Sequence, residues 1–333
     1  LSYTNTSLST ARSCLTKYDF GYNQQLEPDS ADAEALQVGQ AWHKAFDADD
    51  LDDEDLHNQF LMAPYHAIER HAPSPLWNEK LRRLFAAYHW YWRDQPLNLE
   101  RSEYKFSAEI GGIEFEGQID GIPVIDGRRG ILERKSTVDA LDAESSFWDR
   151  LRLDVQVGVY SLGCGFTPAF ILYDVMRKPT INPKRLTKAE IKRMGAQVRI
   201  DGVTKYYDDT FTAEDLEAPL EEGRESIALY GARLTADIGN RPGTYFARRE
   251  VPRGAQDMKT LQDNLIAQIR VLEHAQEYGL MHRNPDACAA RGYSQCTFFG
   301  LCSNNIRPEE GDPAPDGFHR REHRHPELAQ PAD

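Results

Sequence analysis

The chain has 333 residues, a formal net charge of −14, and 40% hydrophobic, 28% charged and 10% aromatic residues. This is the composition of a soluble globular chain able to bury a sizeable core, with length alone suggesting roughly two domains. It excludes a surface coated in cations, though not a basic groove on an acidic body, and no apolar run reaches the length of a membrane span.

The opening Leu1-Ser2-Tyr3-Thr4-Asn5 lacks a basic stretch followed by an apolar one, so no signal peptide is expected. Polar Ser and Thr positions followed by Ala11 to Tyr18 predict a short capped helix within 3–22. Apolar spacing at Leu36, Val38, Ala41, Trp42, Ala45 and Phe46 predicts a helix over 31–47. The acidic run Asp47 to Asp55, with seven carboxylates, reads as a solvated loop or helix end. Helices are expected over 60–71 and 78–93, the second rich in aromatic residues. The pattern then alternates. Residues 100–110, 113–125 and 130–135 read as strands, with turns at Gly111-Gly112 and Asp126-Gly127, and should form an antiparallel meander. A helix over 150–162 and a strand over 167–177 follow, then helices over 187–200, 212–236 and 255–279. The tail from Arg307, rich in Pro, Asp, Glu and His, is expected to be disordered. Together these elements predict an α/β or α+β core with much helical addition.

The strand Gly130-Ile131-Leu132 ends in Glu133-Arg134-Lys135, charges that are costly in a strand unless paired or chemically employed. Asp120 lies on the preceding strand, in Gly117-Gln118-Ile119-Asp120, and the turn at 126–129 can bring it opposite Glu133. Glu133 and Lys135 are two apart and share a face. Neighbouring carboxylates repel, and a hard divalent cation such as Mg²⁺ or Mn²⁺ relieves this while readying water against a phosphate ester; the ammonium can orient that water. A surface hairpin carrying a cross-strand ion pair accounts for the same three residues equally well.

Five cysteines, Cys14, Cys164, Cys288, Cys296 and Cys302, do not suggest a disulfide framework. Three crowd the C-terminal region, which points to a metal or cluster, yet no close C-x-x-C pair is present. Cys164 reads as a small buried hydrophobe. Arg177, Lys178, Lys184, Arg185, Lys188, Lys192 and Arg193, against the single Glu190, form a basic segment read as a phosphate-contacting arm, with a solvated helix start as the alternative. Arg248, Arg249 and Arg253 are a weaker candidate; interleaved aromatics that would stack single-stranded bases are not evident there, though Tyr206 and Tyr207 are near.

With G-x-x-D at Gly117 to Asp120 and E-x-K at Glu133 to Lys135, the chain resembles the PD-(D/E)XK nuclease superfamily, in particular its RecB-like and Cas4-like (AddB-like) branch. That branch carries Q-x-x-x-Y on a following helix, matched by Gln156 and Tyr160, and a histidine after a Gly on an early helix, matched by His43 in Gly39-Gln40-Ala41-Trp42-His43. The usual Pro before the first Asp is replaced by Ile119. The resemblance spans about residues 3–302 and leaves 201–285 without a match. It implies a single restriction-endonuclease-like domain over 1–306: a central mixed sheet flanked by helices, with helical insertions at about 31–95 and 187–280, and 307–333 as tail. It implies that His43, Asp120, Glu133 and the Arg134 backbone carbonyl hold Mg²⁺ or Mn²⁺, that Lys135 acts on water, and that Gln156 and Tyr160 support the site. Cys14, Cys288, Cys296 and Cys302 would bind a [4Fe–4S] cluster joining the chain ends, with Zn²⁺ as the alternative. The implied activity is an exonuclease on single-stranded DNA or duplex ends, cytoplasmic in a bacterium or phage-infected cell, serving recombination, repair or phage genome processing. Helicase, recombination or CRISPR-adaptation proteins are the implied partners, and a non-catalytic DNA-binding subunit of such a complex is the other functional reading.

Overall fold

The structure is a computed structural model that describes residues 2–29, 34–49, 62–288, 295–308 and 311–328. Thr4 caps α1 (Asn5–Ser13), accepting from the Ser7 amide, and α2 (Leu15–Tyr18) runs into a π turn at Asp19–Asn23 before β1 (Leu26–Pro28). Helices α3 (Glu34–Asp49), α4 (Ala63–His71) and α5 (Pro75–Trp92) form a layer around Trp42, Phe46, Ile68, Leu84, Phe85 and Tyr88. Of the apolar stripe predicted on α3, Val38, Ala41, Trp42, Ala45 and Phe46 are buried, while Leu36 is exposed. Of the acidic run, Asp47 and Asp49 belong to α3, and 50–55 lie outside the described residues.

The predicted meander is present as β2 (Leu99–Ile110), β3 (Ile113–Ile125), the short β4 (Arg128–Arg129) and β5 (Ile131–Thr137). Its turns need left-handed backbone: Gly111 and Gly112 have φ of +64° and +82°, Asp126 and Gly127 +51° and +71°. Gly and Asp tolerate that region, which is why those pairs mark the turns. α6 (Ser146–Leu151) and α7 (Val155–Gly163) cross over to β6 (Ile171–Arg177), which pairs parallel to β5. Next come α8 (Lys188–Asp201), the hairpin β7 (Val203–Tyr206) and β8 (Asp209–Thr212), α9 (Ala213–Glu222) and α10 (Ile227–Asn240). β9 (Phe246–Glu250) then returns to the sheet, and α11 (Ala255–Glu277), α12 (Phe299–Ser303) and β10 (Phe318–Arg320) complete the chain. The strand order is β2-β3-β5-β6-β9, with β4 added to β3. One core lies between this sheet and α1, α7 and α11, and a second lies under α3 and α5 on the other side. No helix among the described residues is long and apolar enough to cross a membrane.

Three expectations need correction. Residues 187–280 are not wholly helical, since they carry a hairpin and the edge strand β9, antiparallel to β6. The single helices expected over 150–162 and 212–236 are each two; the second pair is separated by Gly223 at φ +63° and a new cap at Ser226. The expected disordered tail is packed over 311–328: β10 pairs with β1, Arg324 donates to the Tyr18 hydroxyl at 2.9 Å, and Arg321 donates to the Gly21 carbonyl. Composition made that segment look unstructured, but its arginines are ordered by carbonyls and a hydroxyl near the N-terminus.

Phe106 of β2 wedges between two glycines. A Cβ on Gly117 would meet its ring at 2.5 Å and one on Gly163 at 2.2 Å, and the ring stands edge-on to Tyr160 at 5.9 Å between centroids. Retreat from one glycine drives the ring toward the other. Gly117→Ala and Gly163→Ala are each expected to cost about 1–3 kcal/mol, read as a lower urea midpoint and eased in a Phe106→Leu background. An unmoved midpoint would show that the ring has room.

Candidate active site

The sheet forks at Asp120. On one side β3 pairs with β2 from Ile113 to Pro123; on the other its pairing to β5 runs through Gly121 opposite Leu132, continued by Gly130 N–H to Pro123 C=O at 2.9 Å. Beyond that point β5 leaves β3 while staying in full register with β6. The Asp120 carboxylate fills the gap: its Oδ2 accepts the Arg134 amide at 2.6 Å, standing in for a strand carbonyl. Its Oδ1 lies 3.5 Å from His43 Nδ1. His43 gets there because α3 lies against β5, where a Cβ on Gly39 would stand 3.5 Å from Ser136 Oγ.

The sequence Glu133-Arg134-Lys135 is divided between the two faces of β5. Arg134 is buried on the helical side, its guanidinium 4.1 Å from the Phe46 ring centre. Glu133 and Lys135 pair on the other side, Nζ to Oε1 at 2.6 Å. Lys135 Nζ also donates to Gln156 Oε1 at 2.9 Å, and Gln156 Nε2 donates to the Tyr160 hydroxyl at 2.8 Å. The i, i+4 spacing of Gln156 and Tyr160 on α7 makes that last contact possible. His43, Asp120, Glu133, Lys135, Gln156 and Tyr160 therefore converge on one place.

Electrostatics follow from the crowding. Burial raises the Glu133 carboxyl to about 7; Lys135 opposes this and Asp120 adds to it. Burial disfavours a charged His43, but the Asp120 carboxylate outweighs it and lifts the imidazole to about 9. Asp120 itself is lowered: burial works against its charge, and His43 and the Arg134 amide prevail. For Lys135, burial is overcome by Glu133 and Asp154, which raise it.

Three acidic neighbours escaped the sequence reading. Asp154 caps α7 and stands 3.4 Å from Lys135 Nζ; the break before α7 was hidden inside an apparently continuous helix. Glu103 sits across from Asp120 on β2 with φ +48°, takes a hydrogen bond from Gln118, and is raised to about 8 by burial and then by its contact with Asp47. Asp47 is one turn beyond His43 on α3, which was the available signal; Glu103 had none.

A family model for the PD-(D/E)XK nuclease superfamily matches residues 2–298. The chain belongs to the PD-(D/E)XK nuclease superfamily. No individual curated protein matches it closely enough to narrow that assignment. Nucleases of this superfamily act on nucleic acids and typically use divalent metals such as Mg²⁺. Among the described residues, no three His, Cys, Asp or Glu side chains already stand at metal-ligating geometry. The donor set at the fork nevertheless fits a hard cation. Glu133 is 3% exposed and its Oε2 is buried without a hydrogen-bond partner, an uncompensated lone pair beside a second carboxylate.

Elsewhere in the nuclease, Cys14, Cys288, Cys296 and Cys302 line one small cavity, together with Lys17, Arg283, Ala287 and Phe298. Burial and the neighbouring sulfurs raise the Cys288 thiol, as they do Cys302 against the pull of Arg283. The Asn284 amide points to Cys14 Sγ at 3.3 Å. Cys164 is apart from them, buried in the main core with Sγ 3.1 Å from the Phe166 carbonyl. The basic segment is not one continuous arm. Arg177 Nε reaches the Val138 carbonyl at 3.3 Å, Lys178 Nζ the Ala35 carbonyl at 2.9 Å, and Lys184 pairs with Glu190 at 3.1 Å. Arg185, Lys188, Lys192 and Arg193 are exposed, Arg193 with one contact to the Lys205 carbonyl. Arg248 is internal, paired with Asp174 and Tyr88; Arg249 stacks on Trp148 and Arg253 binds two carbonyls. Of the two tyrosines near that region, Tyr206 is buried and Tyr207 exposed.

Glu133 binds its proton more tightly folded, about 7, than unfolded, 4.5, so it favours the metal-free folded state at low pH. That contribution is complete below the unfolded value and lost as pH rises through about 7. In EDTA, Glu133→Gln should therefore flatten the fall in melting temperature between mildly acidic and mildly alkaline pH, by roughly 2 °C or more. Parallel curves for variant and parent would show that Glu133 titrates normally.

Proposed function

We propose that the protein is a Mg²⁺- or Mn²⁺-dependent deoxyribonuclease of the RecB-like and Cas4-like branch, acting on single strands or from duplex ends. The observation that carries this reading is Glu133, whose buried, unpartnered oxygen lies in the fork beside Asp120 while its other oxygen grips Lys135. Asp120, Glu133 and His43 would hold the ion, with the Arg134 carbonyl as a further ligand by family analogy. A divalent ion there supplies a Lewis acid for a phosphoryl oxygen and acidifies bound water. His43 must be neutral to ligate, so it gives up the proton that Asp120 stabilises in the metal-free state. Lys135 remains an ammonium, fixed by Glu133 and Gln156, and can hydrogen-bond water or offset charge developing on the phosphate. Tyr160, anchored against Phe106, holds Gln156 in turn.

DNA contacts are assigned to Arg185, Lys188, Lys192 and Arg193, the exposed part of the basic segment. The start of that segment is tied to the site's own strand, since the Lys178 amide donates to the Thr137 carbonyl at 2.7 Å, two residues past Lys135. Cys14, Cys288, Cys296 and Cys302 are assigned to a [4Fe–4S] cluster. What supports this is four thiols around one cavity, with two cations, Lys17 and Arg283, to offset a thiolate set. By the same resemblance we read the enzyme as cytoplasmic, in a bacterium or phage-infected cell, working with helicase, recombination or CRISPR-adaptation proteins.

The direct test is digestion of end-labelled single- and double-stranded DNA, linear and circular, in Mg²⁺, Mn²⁺ or EDTA. Linear substrates should be degraded only with metal, and Lys135→Ala should lose about 10²–10³-fold in rate while still binding DNA. Circles cut as fast as linear DNA would remove the exonuclease reading, and full activity in Lys135→Ala would remove that lysine from the chemistry. Anaerobically purified protein should be coloured and carry about four irons per chain, and Cys302→Ser should lose both colour and thermal stability. A colourless protein holding one zinc would replace the cluster.

A further inference from the structure

We propose that Asp154 is a positioning residue for the reaction: its carboxylate holds the Lys135 ammonium in place, separately from the carboxylates assigned to the metal. The proposal rests on the nuclease reading above.

Lys135 Nζ has three oxygen neighbours, and they are not equivalent. Glu133 Oε1, at 2.6 Å, belongs to the carboxylate whose other oxygen is unpartnered and available to a cation. Gln156 Oε1, at 2.9 Å, is neutral. Asp154 Oδ2, at 3.4 Å, carries the one charge among the three that is not also assigned to an ion. A lysine on its flexible stem is a mobile point charge unless held from more than one side. Glu133 and Asp154 hold it from two.

Asp154 is itself fixed on every side. Its Oδ1 accepts the Gln156 amide at 2.9 Å, capping α7. The Tyr173 hydroxyl lies 3.3 Å from Oδ2, and Tyr173 is fully buried on β6 in register with Glu133. The backbone around it is gripped by Arg253, whose Nη2 donates to the Leu151 carbonyl at 3.1 Å and the Asp154 carbonyl at 2.6 Å. Arg253 lies between β9 and α11, so the loop joining α6 to α7 is tied to the far edge of the sheet. Its exposed tip, Leu153, points outward while Asp154 points in, 17% exposed. A cap alone would need only the Oδ1 contact. The second oxygen, turned to Lys135 and Tyr173, is what a purely structural role leaves unexplained.

Asp154→Asn and Asp154→Ser separate the two roles, because Asn and Ser cap helices about as well as Asp but carry no charge. The Asn variant should melt close to the parent; the Ser variant, whose one oxygen caps but no longer meets Tyr173, should melt a few degrees lower and still be folded at the assay temperature. Both should lose about tenfold or more in kcat on DNA with KM unchanged. In metal-free protein, competitive amine labelling read by mass spectrometry should show Lys135 several-fold more reactive in the variants, relative to exposed Lys188. Parental kcat in both variants, or unchanged labelling of Lys135, would reduce Asp154 to a helix cap. A parent chain inactive in both metals would remove the nuclease reading instead, and the labelling would still decide whether Asp154 holds Lys135.

Discussion

The hydrogen bond from the Arg134 amide to the Asp120 carboxylate is the contact on which the site depends. Where β5 parts from β3, the ladder stops and an amide inside the protein loses its strand partner. A buried amide left unsatisfied costs about 1–3 kcal/mol, so the fork needs an acceptor at that spot. Asp120 supplies it, and the same bond fixes the carboxylate's rotation, turning Oδ1 toward His43. Backbone economy and site geometry thus have one cause. The splayed strands make room between two sheet halves, and the side chain that closes the hydrogen-bonding gap is the one facing that room.

The remaining charges are arranged so that β5 can run through the interior. Alternation sends Glu133 and Lys135 to one face, where they pair, and Arg134 to the other, where it lies over Phe46. Opposite Arg134 on β6, Asp174 is also buried and is met by Arg248 at 3.2 Å and by the Tyr88 hydroxyl. Arg248 also covers Trp92 at 4.2 Å and donates to the Gln95 carbonyl at 2.6 Å. This inner network ties α5 to both β6 and β9. It holds the helical layer bearing His43 in a fixed relation to the sheet bearing Asp120 and Glu133, and buried charges of this kind persist only when so partnered.

Much of this could be read from the sequence, because the relevant signals are local. Gly111-Gly112 and Asp126-Gly127 fix the meander's turns, and alternation fixes its strands. His43 is marked only by the resemblance, as the histidine after Gly39 on an early helix; the apolar stripe of α3 alone does not single it out. What escaped was decided at long range. The helix expected over 150–162 breaks because Arg253, a hundred residues away in the chain, takes the carbonyls at the break, and with that break went the cap position of Asp154. Phe246–Glu250 was missed as a strand because two arginines in five residues look exposed; Arg249 is indeed exposed, beside Trp148, but Arg248 turns inward to Asp174. Glu103 could not be found from its neighbours at all, since its place beside Asp120 follows from the pairing of β2 with β3.

The chain ends bear on the site through β3. Tyr3 bridges alongside Phe115, its amide donating to the Glu114 carbonyl and its carbonyl accepting from the Glu116 amide, both at 2.9 Å. Tyr3 therefore behaves as an added edge to the strand that carries Asp120. That edge is secured from the other end of the chain: Thr16 Oγ1 donates to the Met281 carbonyl at 2.8 Å, the Thr4 hydroxyl meets Glu327, and β1 pairs with β10. Holding two ends so far apart in sequence removes much of the unfolded chain's freedom, a gain that grows slowly with loop length. The four-cysteine cavity lies at this junction, between Cys14 after α1 and Cys288, Cys296 and Cys302. Five residues of β3 separate Phe115, where Tyr3 docks, from Asp120, so the N-terminal segment packs on the same strand that carries the fork's carboxylate.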